Sequence, residues 1–463
     1  MMKYIDDNRI NELIGKAKDP GPESVEVVLR KSLALERLSL GEAAILLAAS
    51  DSESIKMIFQ AAARVKNAIY GKRVVLFAPL YISNICTNGC KYCTFKSDNK
   101  SISRQALSEK QIHDEIEWLL RRGHKRILLV AGQGLSTESN IDYYLKAVAA
   151  VYAVNVGPHR IKRVNINCAP LEVEEFRRLK KSGIGTYQLF QETYHDETYR
   201  MAHPWGPKSD PDNRLHAVER AFAAGIDDVG IGVLYGLYDY RFETLALLAH
   251  IEELERRFKI GPHTISVPRI EPAAGAELSQ NIPCPLSDEE FKKVVAVLRL
   301  AVPYTGIILS TRETPWMRDE LFKLGVSQVS AESRTSCGGY AEEGHIQDLQ
   351  TQFSVADHRS LDQVIGSLID EGFIPSFCAA CYRKQRTGEA FMQLAKPGTI
   401  KGKCSMNALI TLKEYLDDFA SPQVKAKGYR LIEKQKTGLS REEQSCLADF
   451  FKGIDSGQRD EYV

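Results

Sequence analysis

The sequence lacks a charge imbalance and a long apolar run. Its 463 residues contain 61 Lys and Arg against 60 Asp and Glu, which leaves a formal charge of +1. Like charges form no block of about five or more, so nothing indicates binding to nucleic acid or to an anionic membrane. No segment reaches about eighteen uncharged apolar residues, and the first residues lack the apolar core of a signal peptide. We therefore expect a cytoplasmic protein that binds neither nucleic acid nor membrane.

Cysteine, in contrast, is plentiful. Ten cysteines are present, and six of them form two groups of three. Disulfides are rare in a reducing compartment, so the two groups point to metal or thiol chemistry. We expect Cys168, Cys284, Cys337 and Cys446, which are isolated, to be ordinary packed or surface thiols.

The first group, Cys86, Cys90 and Cys93, has the spacing C-x3-C-x2-C. Thiolates suit iron-sulfur clusters, and three of them on one short loop can bind three irons of a four-iron cluster while the fourth iron stays open. Structural zinc would want a fourth ligand, and the next cysteine, Cys168, falls in a predicted strand. A zinc or disulfide cluster is the alternative.

The second group comprises Cys378, Cys381 and Cys404, with the spacing C-x2-C-x22-C. We interpret it as a second set of three thiolate ligands. A zinc knuckle completed by a histidine is the alternative, because zinc also uses a C-x-x-C pair with one further cysteine. No histidine falls within residues 378–404.

The apolar pattern divides the chain into three parts. Residues 1–70 show helical spacing, with Ser24 and Ser39 as predicted N-caps and Glu42 placed for a capping box with Ser39. Residues 71–371 alternate short apolar runs with amphipathic stretches, which is typical of βα units. Eight such runs predict an α/β fold, a complete (β/α)8 TIM barrel. The predicted strands are residues 74–82, 126–131, 163–168, 186–190, 228–234, 264–270, 306–311 and 327–331, and residues 372–463 form the predicted C-terminal cluster-binding segment.

Barrel active sites lie at the carboxyl ends of the strands, and the first cysteine group follows the first predicted strand directly. The polar residues expected at the same mouth are Gln133, Asn167, Gln191, Glu192, Arg269, Arg312 and Ser330. Each could instead be a surface or loop-bracing residue; their joint placement favours a site.

The two arginines are predicted carboxylate ligands, because a planar guanidinium binds a carboxylate through two parallel hydrogen bonds. We assign Arg312 to a substrate carboxylate and Arg269 to the cofactor, with the reverse assignment left open. A structural salt bridge is the alternative for each.

The first cysteine group resembles the cluster loop of the radical S-adenosylmethionine (SAM) superfamily, in which an aromatic residue usually precedes the last cysteine. Tyr92 fills that position. The resemblance implies that the open iron chelates the amino and carboxylate groups of SAM and that the reduced cluster cleaves SAM into methionine and a 5'-deoxyadenosyl radical. One departure is Gln133 in Gly-Gln-Gly, where these enzymes commonly have a glutamate for the amino group of SAM. The glutamine loses charge assistance worth roughly 1 kcal/mol.

The two cysteine groups together resemble the HydG family, the tyrosine lyases that mature [FeFe]-hydrogenase. The likeness runs from about residue 40 to about residue 420 and includes residues 189–195, 224–232, 236–239, 261–266, 309–313 and 381–383. It implies cleavage of the Cα–Cβ bond of L-tyrosine to p-cresol and dehydroglycine. Arg312 and Ser330, which the strand pattern places at the barrel mouth, are the predicted catalytic residues. A second four-iron cluster with an extra iron then converts dehydroglycine into carbon monoxide and cyanide.

The resemblance also implies partners and further ligands. It adds free cysteine as a ligand of the extra iron, a ferredoxin-type or flavodoxin-type electron donor and other hydrogenase maturation proteins. It supports His263, at the start of the sixth predicted strand, as the imidazole ligand of the extra iron. His263 would then lie at the end of the barrel opposite the SAM cluster, and the C-terminal segment would fold over that end. A histidine that caps a loop is the bland alternative.

Two other functions are kept open. A thiazole-pathway tyrosine lyase would share the barrel chemistry but end without the second cysteine group. An iron-sulfur carrier or scaffold would need the cysteines alone and would leave the polar residues at the barrel mouth without a role.

Overall fold

A computed structural model describes residue 2 and residues 4–134, 140–341 and 350–463. The chain begins with four helices: α1 (Asp7–Lys16), α2 (Pro22–Leu33), α3 (Leu40–Ala48) and α4 (Ser52–Ile69). Ser39 and Glu42 form the predicted capping box at the start of α3. The predicted N-cap at Ser24 is wrong. Helix α2 already begins at Pro22, because proline fits the first helical turn.

Eight parallel strands close into a barrel, which confirms the predicted fold class. Closure comes from β10, which pairs with β1 in the register Val75↔Gln328 and Phe77↔Ser330. The barrel strands are β1 (Arg73–Ser83), β2 (Arg126–Ala131), β5 (Arg163–Asn167), β6 (Tyr187–Gln188), β7 (Val229–Gly232), β8 (Thr264–Ser266), β9 (Gly306–Leu309) and β10 (Gln328–Ser330). A hairpin of β3 (Asn155–Val156) and β4 (His159–Arg160) precedes β5. All eight predicted strands are present, most of them shorter than predicted.

Helices surround the barrel and continue beyond it. They are α5 (Glu109–Arg121), α6 (Ile141–Ala153), α7 (Val173–Lys181), α8 (Asp196–Ala202), α9 (Pro211–Leu215), α10 (Ala217–Ala223), α11 (Tyr240–Phe258), α12 (Glu277–Gln280), α13 (Asp288–Ala301), α14 (Pro315–Leu324), α15 (Leu361–Asp370), α16 (Ala380–Arg383), α17 (Gly388–Ala395), α18 (Ile400–Asp418), α19 (Pro422–Lys436) and α20 (Arg441–Asp455). Across the described part of the chain, every helix is too short or too polar to cross a membrane.

The C-terminal segment packs beneath the barrel, where the strands begin. Its first element, β11 (Ile374–Ser376), pairs with the start of β1, so this segment contributes a strand to the sheet. Arg126, at the start of β2, donates to the Cys378 carbonyl (2.5 Å). The buried side chains of Lys125 and Glu414 form an ion pair across the same interface. The segment therefore covers the amino-terminal ends of the strands, as the sequence predicted for it.

At the opposite end, a loop closes over the carboxyl ends of the strands through one buried ion pair. Arg318 and Asp357 are both fully buried and bonded to each other. Arg318 also donates to the Ser330 carbonyl (2.5 Å) at the end of β10. The Asp357 loop is thus tied to the strand that ends in a predicted catalytic residue.

Replacing Asp357 with alanine should leave the Arg318 charge buried without its main partner. We expect the free energy of unfolding to fall by about 3 to 5 kcal/mol, measured by chemical denaturation. Asp114→Ala is the matched control, because Asp114 forms a solvent-exposed pair with Lys110, and its loss should change the free energy of unfolding far less. Equal losses in the two variants would contradict the prediction.

Candidate active site

A cavity opens at the carboxyl ends of the barrel strands, and we call it the upper cavity. Seven strands, the first cysteine loop and the loop before Asp357 contribute side chains to it. The polar and aromatic members are Phe77, Tyr81, Tyr92, Cys93, Asn167, Gln188, Phe190, Glu192, Ser266, Ser310, Thr311, Arg312, Ser330, Ser333, Thr335, Gln352 and Phe353. Six of the predicted mouth and loop residues therefore line one cavity: Tyr92, Cys93, Asn167, Glu192, Arg312 and Ser330.

Side-chain amides hold the cysteine loop in place. Asn88 Nδ2 lies 3.6 Å from Cys86 Sγ, and Gln352 Nε2 lies 3.6 Å from Cys93 Sγ. Asn88 also donates to Gln133 Oε1 (2.9 Å), and the Gln133 carbonyl accepts from Thr87 N (2.9 Å). Gln133 thus braces the loop with both its side chain and its backbone.

The end of β2 approaches this loop so closely that only glycine fits at residue 132. A Cβ atom there would lie 2.5 Å from the Ile85 carbonyl oxygen. Gly89 lies under the Trp205 ring, where a Cβ atom would come within 2.3 Å of the ring, and Gly89 N donates to the Trp205 carbonyl (3.1 Å). Close contacts at Gly132 and Gly89 thus fix the position of the loop.

Two cysteine thiols of the loop, Cys90 and Cys93, are affected by burial. Burial raises the pKa of Cys93 to about 12, and the neighbouring Cys90 and Cys86 add to the rise. Burial likewise raises the pKa of Cys90. Ligation to iron reverses this balance, because a metal binds the thiolate form. Each thiolate of a four-iron cluster binds a different iron; within the described residues no three cysteine, histidine or carboxylate side chains gather as ligands of a single ion.

Tyr92 belongs to a buried chain of hydrogen bonds. Lys208 Nζ donates to Tyr92 Oη (2.8 Å), and Tyr92 Oη lies 2.8 Å from His203 Nε2. His203 Nδ1 lies 2.8 Å from the Tyr199 carbonyl, which can only accept, so Nδ1 bears the hydrogen. Burial holds the pKa of His203 well below its usual value, so the ring is neutral and Nε2 accepts from Tyr92. The chain fixes the phenol beside Cys90 and Cys93.

Glu192 is the anion of this network. Lys208 Nζ donates to its carboxylate (2.7 Å), and Arg214 lies 3.6 Å away. Burial alone would raise the pKa of Glu192, but these two cations lower it below its usual value, so the carboxylate is ionised. Glu192 has a φ of 75°, a left-handed conformation that is strained for a residue with a side chain.

The next two residues hold Glu192 in that strained conformation. Thr193 Oγ1 and Tyr194 N both donate to the carboxylate of Glu243 on α11, which is fully buried. Burial raises the pKa of Glu243 to about 8. The loop after β6 is thereby anchored in the barrel wall, with the carboxylate of Glu192 in the upper cavity.

The two predicted arginines differ in their surroundings. Arg312 lines the upper cavity, stacks on the Phe353 ring (3.4 Å to its centroid) and donates to the Arg269 carbonyl (3.2 Å). Arg269 does not line the cavity: its guanidinium donates to Glu313 (2.9 Å) and to Asp288 (2.9 Å). Among the residues that the structure describes, no carboxylate forms such a pair with Arg312.

Two further predicted residues point in different directions. Asn167 lines the upper cavity and donates to the Gln188 carbonyl (2.8 Å). Gln191 is buried outside it, where its amide donates to the Pro211 carbonyl (3.1 Å) and approaches Met2 Sδ (3.3 Å). Adjacent residues of one loop, Gln191 and Glu192, thus face opposite sides, which the sequence did not indicate.

A second cavity, the lower cavity, lies at the other end of the barrel. It contains the whole second cysteine group together with His263. Its polar and aromatic lining residues are Tyr70, Arg73, Arg126, His263, Gln328, Cys378, Cys381, Tyr382, Arg386, Phe391, Lys403, Cys404 and Asn407. The structure therefore brings together four residues that are separated by up to 141 positions in the sequence, from His263 to Cys404.

Similarity to known proteins is strong over the whole chain. The Radical SAM superfamily model matches residues 80–250, and the Biotin and Thiamin Synthesis associated domain matches residues 266–374. A crystal structure of HydG, a maturase of the [FeFe]-hydrogenase, superimposes with a TM-score of 0.96 at 43% identity and covers 99% of this chain and 100% of that chain. This chain belongs to the HydG family of radical SAM enzymes. HydG from Carboxydothermus hydrogenoformans gives a TM-score of 0.84 at 43% identity, with 96% of this chain and 97% of that chain covered.

A curated relative of this HydG-family chain is less similar in sequence. The 2-iminoacetate synthase of Escherichia coli K12 is 31% identical over 348 residues, which are 75% of this chain and 89% of that enzyme. Radical SAM membership implies one four-iron cluster and SAM. The upper cavity fits this pair: three thiols converge on one loop, amide N–H groups approach two of the sulfurs, and an open space adjoins them.

The lower cavity fits an anionic iron-sulfur cluster by its charge. Arg73 and Arg126 line it, and the Nε atoms of both are buried with no hydrogen-bond partner among the described residues. Burial alone would lower the pKa of Arg73, but the neighbouring Cys404 and Cys378 raise it above its usual value. Two arginines can therefore balance thiolates at this site.

Several site residues of this HydG-family chain escaped sequence reasoning. Lys208 and His203 lie in the loop after α8, which has no recognisable motif, and Gln352 and Phe353 follow β10 by more than twenty positions. For Lys208, the sequence offers only a positive charge within the same region as Glu192. That signal does not tell a buried ion pair from an exposed one.

Replacing Cys90 with alanine should abolish SAM cleavage, because two thiolates should not hold a cluster with an open iron. We expect no 5'-deoxyadenosine under reducing conditions and a lower iron content, with the remainder at the second cysteine group. Cys446→Ala, at an exposed and isolated cysteine, is the control and should match the parent protein. Deoxyadenosine formation at the parent rate in Cys90→Ala would refute the ligand assignment.

Proposed function

We propose that this protein cleaves the Cα–Cβ bond of L-tyrosine to p-cresol and dehydroglycine and converts dehydroglycine to carbon monoxide and cyanide for [FeFe]-hydrogenase assembly. The observation that supports it best is the pair of cysteine groups at opposite ends of one barrel. Dehydroglycine is another name for 2-iminoacetate, the compound in the name of the E. coli relative. The HydG structures are of maturases of that hydrogenase.

In the upper cavity, the bound cluster and SAM supply one-electron chemistry that generates a hydrogen-abstracting radical. Cys86, Cys90 and Cys93 are the proposed cluster ligands. Tyr92, held by Lys208 and His203, buttresses them. We assign Glu192 and Asn167 to cofactor contacts because both line the cavity. Gln133 would offer its amide oxygen to SAM while it braces Asn88, and the cofactor roles of Gln191 and Arg269 stay predictions.

Arg312 is the proposed ligand of the tyrosine carboxylate. Its guanidinium lines the upper cavity and packs against the Phe353 ring, 3.4 Å from its centroid. The Arg269 carbonyl accepts one of its N–H groups, and Arg269 is itself fixed by Glu313. The orientation of the Arg312 guanidinium is therefore set before substrate binds. Ser330, on the neighbouring strand β10, completes the proposed binding site.

In the lower cavity, Cys378, Cys381 and Cys404 are the proposed ligands of a second four-iron cluster, and His263 and free cysteine those of an extra iron. The residues that line the two cavities are only two positions apart on three strands: Val75 and Phe77 on β1, Arg126 and Leu128 on β2, and Gln328 and Ser330 on β10. Two strand residues span about 7 Å. Dehydroglycine would pass through this one layer of side chains inside the barrel.

The two alternatives make different use of the cavities. A thiazole-pathway lyase has no need of the lower cysteine group and its arginines. A carrier or scaffold has no need of an Arg312 that faces open space. A ferredoxin-type or flavodoxin-type donor and other maturation proteins remain the proposed partners.

The function is tested by anaerobic incubation with SAM, dithionite and L-tyrosine, followed by assays for p-cresol, cyanide and carbon monoxide. We expect all three products from the parent protein. p-Cresol without carbon monoxide would favour the thiazole-pathway alternative. The absence of both deoxyadenosine and p-cresol from protein with a full complement of iron would favour a carrier.

Arg312→Lys should weaken tyrosine binding far more than SAM binding, because a lysine is a point charge where a planar fork is needed. We expect a loss on the order of 2 kcal/mol, measured as the Kd for tyrosine in the presence of SAM. Arg334→Lys, at an exposed arginine four positions after Ser330, is the control. Weaker SAM binding with unchanged tyrosine affinity would instead exchange the roles of Arg312 and Arg269.

His263→Ala and Cys381→Ala should both retain p-cresol formation and lose carbon monoxide, because the lower cavity lies downstream of tyrosine cleavage. The measurement is the ratio of the two products in one reaction. Cys284→Ala, at an isolated cysteine outside both groups, is the control for Cys381→Ala. A parallel fall of p-cresol and carbon monoxide would contradict the two-ended arrangement.

A further inference from the structure

Asp228 is a buried carboxylate that makes no hydrogen bond to the residues that the structure describes. Its exposed fraction is 2%, and neither Oδ1 nor Oδ2 has a partner within hydrogen-bond distance in the described part of the chain. His263 Nδ1 lies 3.7 Å from Oδ2, and Arg163 lies 3.9 Å from Oδ2. A buried charge that makes no hydrogen bond is destabilising, so its presence calls for an explanation.

Backbone pairing fixes Asp228 beside His263. Asp228 immediately precedes β7, and His263 immediately precedes β8. These strands pair in the register Gly230↔Thr264, and His263 N donates to the Val229 carbonyl (2.9 Å). The two side chains are thus brought together by the barrel itself and not by a mobile loop.

The His263 ring is oriented on two sides. Its Nδ1 is the nitrogen nearest Asp228, and the Phe391 ring packs against it with 4.2 Å between centroids. Nε2 lies on the other side of the ring, and the ring lines the lower cavity with Cys378, Cys381 and Cys404. A histidine that binds a metal commonly donates its other N–H to a carboxylate, which fixes the tautomer and the direction of the ligating nitrogen.

We propose that Asp228 is the positioning residue for His263: it accepts the Nδ1 hydrogen and thereby directs Nε2 to the extra iron of the lower cavity. This inference rests on the proposed function, which assigns the iron to that cavity. A shift of about 1 Å in either side chain would bring the two atoms into hydrogen-bond distance.

Arg163 places a positive charge beside Asp228. The Arg163 guanidinium packs on the Tyr382 ring and occupies the space where a side chain at residue 185 would lie. A Cβ atom on Gly185 would come within 1.7 Å of Arg163 Nε, so only glycine leaves room for the arginine. The carboxylate therefore faces a cation on one side and the imidazole on the other.

The competing interpretation is that Asp228 only pairs with Arg163 and stabilises the base of the barrel. Asp227→Asn is a matched control for this interpretation, because the adjacent carboxylate accepts from Thr387 Oγ1 (2.9 Å) and does not line the cavity of His263. Asp228→Ala removes the acceptor. Asp228→Asn retains the shape of the side chain but is a weaker, neutral acceptor.

The experiment uses anaerobically reconstituted protein and makes two measurements. The first is the affinity of the protein for the extra ferrous iron. The second is the hyperfine coupling of ¹⁵N-labelled histidine in the electron paramagnetic resonance spectrum of the lower cluster. Asp228→Ala should lower the iron affinity by about 10- to 100-fold and alter or abolish the coupling. Asp228→Asn should lower the affinity by about tenfold, and Asp227→Asn should match the parent protein. The Asn variant provides the test if Asp228→Ala does not fold.

Two outcomes separate the possible failures. Parent-like iron affinity and histidine coupling in a folded Asp228→Asn or Asp228→Ala, with only a lower melting temperature, would overturn the positioning role and leave the proposed function intact. Parent-like iron affinity in His263→Ala would overturn the ligand assignment itself, and the inference about Asp228 with it.

Discussion

Closure of a parallel barrel is the constraint on which the rest of this structure depends. Because β10 pairs with β1, all eight strands run the same way around one ring, and the molecule has two chemically distinct mouths. The loop after β1 places Cys86, Cys90 and Cys93 at one mouth. The residues before β7 and β8 place Asp228 and His263 at the other. No rearrangement of loops could exchange these positions.

Each mouth contains buried charge, and each balances it in a different way. In the upper cavity, Lys208 and Arg214 keep Glu192 ionised, while Arg312 has a stacked ring and a carbonyl as neighbours. The upper site therefore has a cation that can be matched by a ligand. In the lower cavity, Arg73 and Arg126 face the cysteines, so the charge there is complementary to thiolates.

Rigid attachment also distinguishes the two ends. The upper loops are tied to the strands by buried pairs such as Arg318 with Asp357 and by the bonds from residues 193 and 194 to Glu243. The lower end is covered by a separate segment that is joined through β11 and the pair of Lys125 with Glu414. The residues that line the two cavities lie only two positions apart on β1, β2 and β10, so the two ends are separated by one layer of side chains.

The sequence by itself determined the barrel, both cysteine groups and the end of the barrel at which His263 would lie. These features are local: a strand pattern has a period of two, a cluster loop has a fixed spacing, and strand order gives each loop its end of the barrel. It also identified Arg312 and Glu192 as residues at a strand end, but it could not tell Glu192 from Gln191, because one residue of shift turns a side chain to the opposite face.

Only the tertiary structure decided which polar groups are partners. Arg269 and Arg312 look alike in the sequence, yet Glu313 and Asp288 occupy the fork of Arg269 and leave Arg312 in the cavity. Lys208 reaches Tyr92 across 116 positions, and Asp228 reaches His263 through strand register. Hydrogen bonds and ion pairs form over a few ångströms in space, and no periodicity along the chain records which distant residues will come that close.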